Sequence, residues 1–468
     1  MVQRSVLLLA GLLILSACQT PAEAPPAPSD GDMAGESQQE QPIEPTDSAS
    51  SGEKPVPFCE TFDPTTLTWF ELGSGDPSPQ QTDRGVTVTI SRTDLPTAAA
   101  SRYNTLSEVC PGFFLTITHE GEGRLIALDD GKWAELPTLE PAGELRNPAS
   151  SGVEGGGPVW GFRDSLVMND TVFLSDAVVD TAEECVYVAV HRVGLDELLL
   201  DGTPETNVIY RSEPCVSYAA EYRSRAPIKT HLGGALAYSP VGDELYLSIG
   251  DMHLGSSTIG QAEAIGIVNV EKDYTILTSE TAAVSAVVAI SSPFDSATGR
   301  VFSKGLRNSL GMTVTSTDQL WLSDHGPSGG DELNKIDEGA DYGWPLTSYG
   351  QPYDRSRYPD DANALPAPWL DIYLSDIDGT TPPAYSWTPA VAPTSVVEYP
   401  SSGIPQWQGS LVMSSLRAES ILVLSHGSGA VVEEDRVDVG ERIRDMVVTK
   451  IGALVMVTDS SRLVLVTG

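Results

Sequence analysis

Beyond residue 57 the apolar positions fall in short β-rich runs, and stripes with the 3.6-residue period of a helix are almost absent. The runs VFLSD from Val172, VYVAVH from Val186, LYLSIGD from Leu245, LWLSDHG from Leu320, LVMSSL from Leu411 and LVMVTD from Leu454 each read as a strand running into a functional edge. Turn clusters such as Pro240-Val241-Gly242-Asp243 and Ser316-Thr317-Asp318 separate strands in the manner of hairpins. This is an antiparallel meander, repeated. Divided into four-stranded sheets, the about 410 residues from 58 to 468 predict an all-β, six-bladed β-propeller of antiparallel blades, with loop insertions on its top face. A pair of β-sandwiches is the alternative. Residues 349–393, rich in Pro, Asp and Tyr, break the rhythm and read as an insertion over that face.

The N-terminus follows a different pattern. One cation, Arg4, precedes an apolar run over residues 6–15, which suits a signal peptide and is too short to span a membrane. The run ends in Leu15-Ser16-Ala17-Cys18, which resembles a bacterial lipobox with Cys18 as the lipidated first residue of the mature protein. Residues 1–17 are thus expected to be a lipoprotein signal peptide. Residues 19–57 hold eight prolines, eight acidic residues, one lysine and no aromatic residue, so they cannot bury enough apolar surface to fold. Residues 18–57 read as a lipidated cysteine and disordered tether. The expected location is the cell envelope, on the periplasmic side of the outer membrane, with membrane contact through the lipid anchor only.

Charge and cysteine content sharpen this picture. A net charge of −38 repels nucleic-acid phosphates and excludes a nucleic-acid-binding protein. Besides Cys18 there remain Cys59, Cys110, Cys185 and Cys215, an even number in an exported chain. Of the three possible pairings, Cys59 with Cys110 and Cys185 with Cys215 join neighbours in sequence and are preferred. No Cys/His cluster has zinc-ligand spacing.

Candidate chemistry lies in three places. In HLGGAL from His231, followed by a strand ending in Gly250-Asp251, a histidine and a carboxylate can meet at one end of a hairpin, where the acid fixes the tautomer of a general base. The second is GLRNSLG from Gly305, leading to DHGPSGGDELN from Asp324 and DYGWP from Asp341; so many carbonyls and carboxylates in one loop suggest a hard cation, calcium. The third is GERIRD from Gly440, where Arg442 and Arg444 share a face and repel unless an anion lies between them; pairing with Glu441 or Asp445 is the plainer explanation.

In order and spacing, these motifs resemble the glucose/sorbosone dehydrogenase family, soluble-type aldose sugar dehydrogenases that use pyrroloquinoline quinone (PQQ). The resemblance runs from about residue 150 to the C-terminus; residues 58–150 carry no recognisable match. It implies a six-bladed propeller with PQQ across its top face. By match to the family pattern, His231 would be the catalytic base, Asp251 its orienting carboxylate, and Arg307 the cation at the quinone carbonyl that receives hydride. Asn308, Arg442 and Arg444 would bind the cofactor, as would Arg417, standing where some members have Lys, and Glu154 in an altered glycine stretch. The carbonyls of Gly326 and Pro327 would hold Ca2+. His253 and His325 are expected to be loop or supporting residues. The implied reaction oxidises an aldose at C1 to the lactone and passes electrons to an acceptor the sequence does not identify. The alternatives are a degenerate propeller that binds carbohydrate or protein, and a calcium-dependent lactonase.

Overall fold

The structure, a computed structural model, describes residues 58–468 apart from 74, 97–102, 143–160, 201–203, 218–230, 253, 255–274, 328, 351–378 and 428. Cys18, the tether, Glu154 and His253 lie outside the described residues.

Six antiparallel sheets form a ring. Their innermost strands are Tyr103–Cys110, Gly161–Met168, Gly233–Ser239, Ser309–Val314, Pro393–Glu398 and Ile443–Val448, each packed beside the next and the last beside the first. This is the six-bladed propeller. Each of the six gaps between blades is filled by an apolar cluster. The strand Glu244–Ile249 shows why its sequence is apolar at nearly every position: Leu245, Leu247 and Ile249 pack towards the second blade, and Tyr246 towards the fourth. A blade's inner strands are covered on both faces, so strict alternation is lost.

The N-terminal segment, silent in sequence, closes the ring. Thr87–Asp94 pairs antiparallel with the C-terminal strand Arg462–Thr467, and Ser78–Gln81 adds beyond it, so the sixth blade joins both ends of the domain. Residues 103–135 form the first blade, with Trp69–Glu71 as its fifth, outermost strand. Three sheets therefore exceed the expected four strands: the first, the sixth, and the second, where Val216–Ser217 also pairs with Cys185–Gly194.

Two further details differ from the sequence expectation. VYVAVH lies in Cys185–Gly194, the third strand of its blade, and runs antiparallel to Thr171–Asp180, so it leads away from the edge that the other motifs approach. Within residues 349–393, Tyr385–Trp387 is the outer strand of the fourth blade, too short a run to recognise among prolines.

The recurrent serine of the motifs acts between blades. Ser175 Oγ donates to the Gly234 carbonyl (2.5 Å), Ser248 to that of Ser309 (2.9 Å) and Ser323 to that of Thr394 (2.6 Å), each in the following blade. Each inner strand carries a register shift near its start, which frees these carbonyls from the ladder. Both disulfides have the expected pairing: Cys59–Cys110 ties the short helix Phe58–Thr61 to the first blade, and Cys185–Cys215 clips the second.

Candidate active site

The functional residues gather on the face where inner strands begin and second strands end. The second strands supply its organising rule. Asp251, Asp324 and Asp459 stand at or just beyond the ends of such strands, and each holds residues that open the inner strand of its own blade.

In the third blade, Asp251 is fully buried and its Oδ1 lies 2.8 Å from His231 Nδ1. Its Oδ2 accepts the indole N–H of Trp344 at 2.9 Å. The backbone fixes this arrangement: Met252 N–H donates to the His231 carbonyl (2.9 Å) and Asp251 N–H to that of Arg307 (2.8 Å). His231 has a φ of 60°, and Gly250 follows because a Cβ there would overlap the His231 carbonyl.

Arg307 determines the tautomer. Its Nη2 lies 3.1 Å from His231 Nε2, and a guanidinium can only donate, so Nε2 is the acceptor and Nδ1–H points to Asp251. Burial, reinforced by Arg307 and opposed by Asp251, lowers the His231 pKa. The imidazole is therefore neutral at pH 7 with its lone pair on Nε2, the form a general base requires. Arg307 is buried over the ring of Trp344, its Cζ 5.3 Å from the centroid.

In the fourth blade, Asp324 accepts the N–H groups of Arg307 (2.8 Å) and Asn308 (2.7 Å), shaping the turn that presents both side chains. Burial pushes its pKa up to about 6. Asp331 similarly accepts from Gly326, Val391 and Ala392 N–H. The loop's aspartates thus hold backbone, where the sequence had suggested direct cation ligands. Arg307 Nη1 donates to the carbonyls of His325 (2.8 Å) and Gly326 (2.9 Å), so a cationic group already faces the Gly326 oxygen. Pro327 is buried beside it. His325 faces the Pro393 carbonyl (Nε2 to O, 2.6 Å), and burial lowers its pKa to about 3, which suits a supporting residue. Asn308 Oδ1 is buried and has no hydrogen-bond partner among the described residues.

In the sixth blade, the anion between Arg442 and Arg444 is Asp459. Arg442 Nε reaches its Oδ2 at 2.7 Å, and Arg444 Nε donates to its Oδ1. Burial opposes ionisation of Asp459, but the two arginines hold its pKa below the usual carboxylate value. Glu441 instead pairs with Arg462, and Asp445 accepts from Ser395, Met446 and Leu106. Arg417 lies exposed after the strand Leu411–Ser415. Sequence reasoning missed Trp344 and Asp459 as partners, although the aspartate closing LVMVTD occupies the same place as that closing LYLSIGD.

The sequence model of the glucose/sorbosone dehydrogenase family matches residues 161–466. Aldose sugar dehydrogenase YliI of Escherichia coli strain K12 is 34% identical over 168 residues, covering 35% of this chain and 42% of the relative. Uncharacterized protein slr1608 of Synechocystis is 30% identical over 163 residues, 34% and 37% of the two chains. The chain spans less than half the length of these curated relatives. Among solved structures, the apo soluble aldose sugar dehydrogenase of Escherichia coli aligns with a TM-score of 0.57 at 21% identity, over 81% of this chain and 99% of that one. The PQQ-bound aldose sugar dehydrogenase of Streptomyces coelicolor gives 0.52 at 17%, over 81% and 98%. At those identities the likeness is one of fold. The family match covers well over half of the sequence, and this chain belongs to the glucose/sorbosone dehydrogenase family.

Proposed function

We propose that this chain is an aldose sugar dehydrogenase that oxidises C1 of its substrate to a lactone with PQQ as cofactor. The observation that carries the proposal is the triad of Asp251, His231 and Arg307: a neutral imidazole, its tautomer set by a buried carboxylate, beside a fixed cation.

The residues present fit such a cofactor. Arg442 and Arg444 would meet its carboxylates, with Arg417 at the rim, and the orphaned amide oxygen of Asn308 would accept a ligand N–H. Glu154, outside the described residues, is assigned to the same site by family pattern. The carbonyls of Gly326 and Pro327 would take calcium, Gly326 through the lone pair that Arg307 leaves free. When bound, PQQ supplies an electrophilic quinone that accepts two electrons as hydride.

The chain's part in the reaction is proton transfer and charge stabilisation. His231 Nε2 removes the C1 hydroxyl proton as the C1–H bond breaks, and Asp251 stabilises the imidazolium. Arg307 stabilises negative charge growing on the acceptor oxygen: its Nη1 stays held by two carbonyls, while its Nη2 gives up His231 Nε2 to the substrate hydroxyl. The lipobox motivates lipidation at Cys18, which would keep the domain near a membrane carrier for the electrons; the two disulfides suit an exported protein.

The test is to add PQQ and calcium to the purified protein, record the cofactor absorbance, and follow its bleaching by a panel of aldoses. Cofactor uptake with no aldose able to reduce it would overturn the proposal in favour of a binding propeller.

A further inference from the structure

We infer that Arg163 is a further anion-binding residue of this site, bringing a guanidinium from the second blade to the pocket in which Arg442 and Arg444 would receive the cofactor's carboxylates. The inference rests on the PQQ reading and adds to it a residue outside the matched motifs.

An internal repeat supplies the first argument. Phe162-Arg163-Asp164 opens the inner strand of the second blade, and Ile443-Arg444-Asp445 that of the sixth. The register shift falls at the same place in both, between Phe162 and Asp164 and between Ile443 and Asp445. Such a bulge re-aims the residue it contains. Below the arginines, Asp164 and Asp445 line the central cavity, of about 440 Å³. Arg163 is thus the counterpart of Arg444, one blade removed, since only the strand Tyr103–Cys110 stands between theirs.

The surroundings of Arg163 supply the second. Its Nε donates to the Gly233 carbonyl at 3.2 Å, two residues beyond His231. Its stem passes so close to the same turn that a Cβ on Gly234 would lie 2.6 Å from Arg163 Cβ, so the glycine pair of HLGGAL makes room for it. Burial, then repulsion by Arg444, lowers its pKa to about 10 against the opposing pull of Asp164, which leaves it charged at pH 7. Arg163 is therefore anchored at the turn of the base, in the strand position that Arg444 holds in the sixth blade. Arg444 already holds the carboxylate of Asp459, so an anion that reaches this part of the face would meet Arg163 as an added cation.

The test is calorimetric titration of PQQ into calcium-loaded apo protein, comparing wild type with Arg163→Gln. One lost charge-assisted contact is expected to weaken binding about tenfold to a hundredfold, with a smaller dependence of Kd on salt and little change in apo melting temperature. If the Gln variant folds poorly, Arg163→Met keeps the apolar stem and should show the same loss. Wild-type binding with affinity unchanged in the folded variant overturns this inference alone. Failure of the wild type to bind PQQ at all overturns the cofactor reading and this inference with it.

Discussion

At the scale of single residues, the site is a chain of hydrogen bonds whose direction is set by a guanidinium that cannot accept. Arg307 must donate, so His231 Nε2 must accept and Nδ1–H must face Asp251. His231→Ala should retain PQQ and lose about 10² to 10⁴ in turnover, the usual cost of a missing general base. Because burial and Arg307 lower the His231 pKa, the acid limb of the wild-type pH–rate profile should lie below the ordinary histidine range. Near-normal turnover in the PQQ-loaded variant would remove His231 from the mechanism. Trp344 gives a finer test. Its indole N–H shares the charge of Asp251, and its ring supports Arg307. Trp344→Phe keeps the ring and removes the donor, leaving more negative charge for the imidazolium. The His231 pKa, read by histidine NMR in the apo protein, should rise, and turnover should fall by about tenfold, the worth of one hydrogen bond to a charged group. An unchanged His231 titration would reduce Trp344 to packing.

At the scale of strands, the repeated motif does two jobs with two residues: a serine that bonds the next blade and an aspartate that holds the opening of its own. Ser248 Oγ donates to the Ser309 carbonyl and accepts from the N–H groups of Gly234 and Ala235 (3.2 and 2.9 Å). Ser248→Ala would leave buried backbone groups unpaired and should cost about 2 to 3 kcal/mol in denaturant melts; a loss below about 0.5 kcal/mol, the scatter of surface substitutions, would mean the bulge relaxes. These strands were legible because the pattern recurs, and His231, Asp251 and Arg307 because their motifs keep order and spacing. The closing strand Thr87–Asp94 was not, since TVTISRTD differs from other short β runs only in its partner, which lies at the opposite end of the chain. Asp459 was overlooked although the hairpin reasoning that joins His231 to Asp251 applies to it, because Glu441 and Asp445 offered carboxylates nearer in sequence to the arginine pair.

At the scale of the molecule, burial of carboxyl groups in an acidic chain sets how stability responds to pH. Burial, helped by Asp324, pushes Glu332 up to about 8; burial, opposed by hydrogen bonds from Ser395, Met446 and Leu106, leaves Asp445 at about 7. Raised folded pKa values mean that the native state holds protons the unfolded chain releases. Their stabilisation is therefore fully present below the ordinary carboxylate pKa and is lost as pH rises through the folded values. Each such group contributes a slope of at most about 1.4 kcal/mol per pH unit. The buried histidines act in the opposite direction, but His231 and His325 have lowered pKa values, so above about pH 6.5 both states hold them neutral and their effect ends. Self-repulsion in a chain of charge −38 adds to the carboxyl effect. From pH 6.5 to 8.5 the apo protein should lose about 1 to 3 kcal/mol of unfolding free energy, measured by denaturant titration. Asp445→Asn, which cannot ionise and keeps an acceptor oxygen for Leu106 N–H, should flatten that slope. A stability that is level or rising across this interval in wild type would mean that these carboxyls are ionised in the folded ring, their surroundings hydrated enough to support the charge.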